Sequence, residues 1–158
     1  MADDDSPRRE FEPPRYHRIL VALDDSAAAE FACRHAVATA IEQHSRITLL
    51  TVVPSPAISV AASGIAPQQL LAEMQADAGT RLQALAAGLP EALSVTTVVR
   101  EGPPAEEILA MLGEEPFDLV CMGARGRGCL ATTLLGSVSA AVVHRSPVPV
   151  MVFHPPPE

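Results

Sequence analysis

Met122-Gly123-Ala124-Arg125-Gly126-Arg127-Gly128 continues an apolar run that begins at Phe117, and Gly136-Ser137-Val138-Ser139 follows eight residues later. A short apolar run bounded by glycine reads as a buried strand. Three glycines within six positions let a backbone come close to another group or adopt positive φ. Ser137 reads as the cap of a helix, and the unpaired N–H groups of a helix start attract phosphate oxygens. Strand, glycine loop, Gly-Ser and helix together look like a cradle for the phosphates of a nucleotide.

Outward from that cradle, the same alternation fills the chain. His17 to Leu23 is an apolar run that stops at Asp24-Asp25-Ser26, a strand followed by a helix start. Ala27 to Gln43 is Ala-rich with helical spacing, and Arg46 to Val53 is a β-branched second strand. Pro54 to Pro67 is a loop long enough to be a flexible or a ligand-covering segment. Leu70, Leu71, Met74, Leu82, Leu85 and Leu89 recur at helical spacing over Pro67 to Leu89. Leu93 to Arg100 is a third strand, and a helix over Ala105 to Leu112 follows Gly102-Pro103-Pro104. Phe117 to Met122, Ser137 to His144 and Pro147 to Phe153 complete the series as strand, helix and strand. Five strands alternating with four helices predict a parallel sheet covered on both faces, with right-handed crossovers. The ligand crevice of such a sheet lies beyond the carboxyl ends of the strands, where the strand order reverses. Asp24, Val53 and the Gly123 loop all follow such ends.

The 158 residues fit one domain, here 16–154, between a charged, proline-bearing tail over 1–15 and a short tail over 155–158. With 48% hydrophobic residues and 3% aromatic, the core must be aliphatic, which suits buried parallel strands. The formal charge of -8 argues against nucleic-acid binding, which needs a basic surface. Every fixed side-chain cation is an arginine, so mechanisms that need lysine are excluded. The three cysteines are odd in number and show no C-x-x-C spacing, against a disulfide framework or zinc site. Cys33, His35 and His44 have no recognisable ligand spacing either. The acidic start Met-Ala-Asp-Asp-Asp is unlike a signal peptide, and no apolar run is long enough to span a bilayer. The expectation is a soluble, cytoplasmic protein without membrane contact.

From Arg18 to Phe153 the chain closely resembles the universal stress protein family, in its ATP-binding branch. Gly123, Gly126, Gly136 and Ser137 complete the branch's mark, G-x2-G-x9-G-[ST]. Ile19-Leu20-Val21-Ala22-Leu23-Asp24-Asp25-Ser26 looks like the family's first strand and its Asp. Gly102-Pro103-Pro104-Ala105-Glu106-Glu107-Ile108-Leu109 and Asp118-Leu119-Val120-Cys121-Met122-Gly123 look like its third crossover.

The resemblance implies an α/β fold, adenine-nucleotide alpha-hydrolase-like and Rossmann-like, with sheet order 3-2-1-4-5. It implies ATP as ligand; Mg2+ or Mn2+ could accompany the phosphates as counter-ion, although few carboxylates are placed to hold one. Adenine would lie near Ala22 and Val52, and Asp24 would meet the ribose. Met122 and Gly123 would open the loop. Backbone N–H groups of Gly126, Arg127, Ser137 and Val138 would hold the phosphates, joined by the hydroxyls of Ser137 and Ser139. A homodimer would pair the final strand, 148–152. Position 125 departs from relatives, where His or a small polar residue is frequent; Arg125 and Arg127 could pair with phosphates bidentately or stand as solvated loop cations. For Asp24, ribose contact and an N-cap of the first helix are both open.

Three rivals fail on residues. A phosphorelay receiver needs an Asp after the third strand and a Lys after the fifth, but Arg100-Glu101-Gly102 stands at the first place and no lysine exists. G-x4-G-K-[ST] is absent, and Asp24-Asp25-Ser26 replaces the G-x-G-x-x-G of a dinucleotide fold. No base for water is visible, so the reading is a nucleotide-dependent regulatory module of the stress response, at most a weak ATPase. The alternative is a nucleotide-free, dimeric interaction module.

Overall fold

A computed structural model describes residues 12–55, 66–126 and 135–155. Arg127, Gly128, Cys129 and most of the Pro54–Pro67 loop lie outside the described residues, as do the ends of both tails. The elements are β1 (Arg18–Leu23), α1 (Ala27–Gln43), β2 (Arg46–Val53), α2 (Pro67–Ala87), β3 (Val95–Glu101), α3 (Pro104–Glu114), β4 (Leu119–Gly123), α4 (Ser137–Arg145) and β5 (Val150–Phe153). All pairings are parallel and the strand order is β3-β2-β1-β4-β5. β1 is central, with Ala22 opposite Leu50 of β2 and Met122 of β4.

Alternation along each strand sends side chains to two separate cores. Ile19, Val21, Ile47, Leu49, Leu119 and Cys121 meet α1 and α2. Leu20, Leu50, Val120 and Met122 meet Ile108, Met111 and Leu112 of α3 and Val142 of α4. Both faces are therefore covered, as parallel strands require. The buried face of α1 is mostly alanine (Ala28, Ala29, Ala32, Ala36, Ala40), which brings the helix close to the sheet. That closeness reaches its limit at the end of β4. A Cβ on Gly123 would lie 2.8 Å from the backbone of Ala28 and Ala29.

Several element boundaries differ from the sequence reading. β5 starts at Val150, not Pro147, because Pro147 and Pro149 have no N–H to donate to a ladder. β4 starts at Leu119: Phe117 is buried by its ring, while its N–H closes a local turn onto Glu115. β3 starts at Val95, since the Leu93 N–H turns back to Pro90. α3 begins one residue earlier, at Pro104 itself, and continues to Glu114. At the amino ends of the strands, the Asp118 carboxylate accepts the N–H groups of His17 and Arg18, which fixes the start of β1 against that of β4.

Candidate functional site

After β1 the chain turns sharply through Asp24-Asp25-Ser26. Asp25 has φ 62°, a left-handed conformation that aspartate tolerates better than most residues. Asp24 Oδ1 accepts the Ser26 N–H at 3.2 Å and the Ser26 hydroxyl at 2.6 Å, an Asx turn. Ser26 Oγ in turn accepts the Ala29 N–H at 3.1 Å and caps α1. The cap is therefore Ser26, and Asp24 is the residue that holds Ser26.

The glycine loop comes down on this turn. The second carboxylate oxygen of Asp24 fills the space a Cβ on Gly126 would need. Neither Gly123 nor Gly126 has positive φ; among the described residues Gly102 is the only glycine that does. Crowding and not backbone conformation favours glycine at both places: Gly123 meets the backbone of α1, which cannot give way, and Gly126 meets the end of the Asp24 side chain, which can move at a cost.

Beyond the loop the chain returns to the end of β4. The Gly136 N–H donates to the Ala124 carbonyl at 2.7 Å, and the Ala124 N–H donates to the Phe153 carbonyl at 2.8 Å. The Ser139 hydroxyl, itself buried, lies 2.6 Å from the Ala124 carbonyl and 3.1 Å from that of Gly136. These bonds bring Gly126 and Gly136, ten positions apart, to one mouth. They also correct the reading of Ser137 as a helix cap. The N-cap is Gly136, which has no side chain, and Ser137 is the first helical residue with its side chain exposed. Helix geometry leaves the first-turn amides of α4 without intrahelical partners. On its far side α4 is tied to α3 by Arg145 and Glu106.

A cleft of about 630 Å³ opens at the carboxyl ends of β1, β2 and β4. The sheet contributes Ala22, Val52, Met122 and Gly123, and the first turn contributes Asp24. Gly126, Gly136, Ser137, Val138 and Ser139 line the opposite side. Ten of the twelve residues singled out from the sequence thus share one cleft. Arg125 does not line it; its carbonyl instead lies 3.4 Å from the Ser26 hydroxyl. Arg127 is outside the described residues.

The sequence did not mark the helical walls. Met74, Asp77, Ala78 and Arg81 enter from α2, and Pro104 and Ile108 from α3. Arg81 spans the gap between α2 and the first turn, 3.3 Å from Asp25 and 3.1 Å from Asp77. Of this group, only the Asp77–Arg81 spacing of four is visible in a sequence, and it reads as an ordinary surface pair. The Arg81–Asp25 pair also borders a second pocket of about 280 Å³ between α1 and α2. The charged side chains of the cleft wall, among the described residues, are Asp24, Asp25 and Asp77 against Arg81. No group of three or more His, Cys, Asp or Glu is placed to hold a metal among the described residues. Cys33 and Cys121 lie in the core behind α1, outside the cleft. Burial pushes the Cys121 thiol up to about 12, and burial together with Glu30 raises Cys33.

The family profile described as "Universal stress protein family" matches residues 15–154. A universal stress protein of Methanocaldococcus jannaschii is 29% identical over 144 residues, covering 89% of this chain and 84% of that protein. One from Synechocystis, Sll1388, is 31% identical over 149 residues, covering 87% and 97%. A Mycolicibacterium smegmatis relative is 30% identical over 141 residues, and there the chain spans about half of the longer protein (47%). Among solved structures, the M. jannaschii protein MJ0577 matches with a TM-score of 0.81 at 27% identity, over 92% of this chain and all of that one. A universal stress protein solved in complex with cAMP has the same fold, with a TM-score of 0.60 at 22% identity over 89% and 99%. The family profile spans most of the sequence and the relatives agree with it, and the chain belongs to the universal stress protein family.

Proposed function

We propose that the cleft binds ATP and that the protein is a nucleotide-dependent regulatory module of the stress response, with slow or no ATP hydrolysis. The observation that carries this reading is the start of α4. A helix whose N-cap is a glycine opens its first-turn amides, beside an exposed serine hydroxyl, into a cleft large enough for a nucleotide. Facing it is Asp24, just beyond the carboxyl end of β1, on the side of an open parallel sheet where ligands bind. In this reading the adenine rests near Ala22 and Val52, at the ends of adjacent strands. Asp24 takes the ribose, and the phosphates meet the amides of Gly126, Ser137 and Val138 with the Ser137 hydroxyl. The Ser139 hydroxyl has a single proton, directed to two carbonyls, so its main service is to hold the loop. Met122 and Gly123 form the floor where β4 ends. Arg125 and Arg127 would act on the phosphates only if the loop carries them inward.

Three carboxylates against one guanidinium make the described wall acidic, so a triphosphate would enter with Mg2+ or Mn2+. The metal would be held chiefly by the phosphates. The crystal complex of a relative with cAMP makes an adenine nucleotide a reasonable ligand for this fold. A homodimer through strand 148–152 fits the place of β5 at the sheet edge, where one side of the strand has no neighbouring strand among the described residues.

Denaturing freshly purified protein and weighing what is released tests the reading. An adenine nucleotide near one per chain supports it. A clean protein that also fails to bind added nucleotide points to the nucleotide-free module instead.

A further inference from the structure

Arg81 is on α2, more than fifty residues from the turn it touches. Its guanidinium meets Asp25, the left-handed apex between Asp24 and Ser26. Asp24 reaches back across that apex to the Ser26 N–H and hydroxyl, and the same carboxylate fills the space beneath Gly126. Arg81 therefore clamps the middle of a three-residue turn whose first residue faces the cleft. Asp77, one helical turn earlier, holds the guanidinium from its own helix, 3.1 Å away. Arg81 is also the one cation on the wall of the cleft among the described residues, yet it already faces two carboxylates. A guanidinium already shared between two carboxylates is poorly suited to take a phosphate and well suited to holding an acceptor still.

We propose that Arg81 is a positioning residue of the cleft: through Asp25 it fixes the Asp24 carboxylate and so sets the preference for ribose over deoxyribose nucleotides. The claim deepens the nucleotide reading given above and rests on it. A hydroxyl donating to a carboxylate gains only when the acceptor is held at the right place and angle. A charged acceptor typically distinguishes the presence of one hydroxyl by about tenfold or more. The Arg81–Asp25 pair is about half exposed on the arginine side, which limits its effect, so its loss should blunt that preference and not abolish it.

The test is calorimetric titration of the full chain with ATP and with 2′-deoxy-ATP, using wild type, Arg81→Met and Arg81→Lys. Backbone amide exchange of the nucleotide-free proteins is followed in parallel. Wild type should prefer ATP. Arg81→Met should cut the ATP to deoxy-ATP ratio by about threefold while leaving deoxy-ATP affinity nearly unchanged. It should also speed exchange at the Ser26 and Ala29 amides. Arg81→Lys should restore part of the ratio. Equal weakening of both nucleotides would make Arg81 a phosphate contact and overturn the inference. So would an unshifted ratio, or unchanged exchange at Ser26. If wild type binds neither nucleotide, the nucleotide reading has failed and the specificity claim falls with it; binding with an unshifted ratio overturns this inference alone.

Discussion

The carboxylate of Asp24 occupies the space that a side chain on Gly126 would need, so two residues about a hundred positions apart are fitted to each other. One follows the end of β1 and the other is the second glycine of the loop. A methyl group at 126 must push the carboxylate away or lift the loop. Gly126→Ala should weaken ATP binding by about tenfold, or ~1.4 kcal/mol. The added change Asp24→Gly makes room for the methyl but removes the ribose acceptor. The loop contact is then no longer strained, so the two changes together should cost less than their sum. A double-mutant cycle by calorimetry measures that coupling.

Gly123 is a packing residue by the same reasoning. The Cβ of Gly123→Ala would lie 2.8 Å from backbone atoms of Ala28 and Ala29, which cannot rotate aside. Such overpacking typically costs about 1–3 kcal/mol. Urea denaturation should show that loss with an unchanged slope.

Ser26 serves both the helix and the site. Ser26→Ala removes the α1 cap and the hydroxyl that Asp24 accepts, and loss of a cap costs about 1 kcal/mol. Stability should fall by that amount in chemical denaturation, and ATP affinity should fall with it. Ser26→Thr keeps the oxygen and should retain most of both.

The fold was largely legible because its signals are local. α1 and β2 have the bounds that alanine spacing and the β-branched run indicate, and the central strand stops at the acidic turn as expected. The strand order came from the family resemblance, not from periodicity. The errors are physical ones. Apolar residues such as Phe117 and Val148 belong to a core without belonging to a ladder, so the apolar runs overstate β4 and β5. Ser137 looks like a cap because serine favours that place, yet the bond from Gly136 to Ala124 fixes the helix start one residue earlier. Arg81 was illegible for a different reason. Its partner Asp25 is remote in sequence, and only the packing of α2 beside the first turn brings the two together.

Glu106 and Glu114 contribute to the acid dependence of stability. Bonds from Arg145 and Arg100 hold their carboxyls below the usual range. A lowered folded value contributes stability above the unfolded one, near 4.5, which is lost as pH falls through the folded value. Both pairs are solvent-exposed, so the effect is small and screened by salt. Melting temperatures between pH 6 and 3 should decline less steeply for Glu106→Gln than for wild type, the difference shrinking in high salt.

The thiols of Cys33 and Cys121 are raised, the latter to about 12, so both stay protonated near neutral pH. The neutral thiol is the form that burial favours. This contribution is complete below the ordinary value of 9.0 and is lost as pH rises through the folded one. Site-resolved alkylation with iodoacetamide at mildly alkaline pH should leave both unmodified in the native protein and modify both in denaturant.

The most direct measurement is a calorimetric titration of nucleotide-stripped protein with ATP and Mg2+, repeated on Gly126→Ala. One nucleotide per chain with a Kd on the order of micromolar, weakened by the substitution, is the predicted result. No heat of binding, together with a melting temperature unmoved by millimolar ATP, would contradict it and leave the glycine loop as a turn that packs against Asp24 and α1.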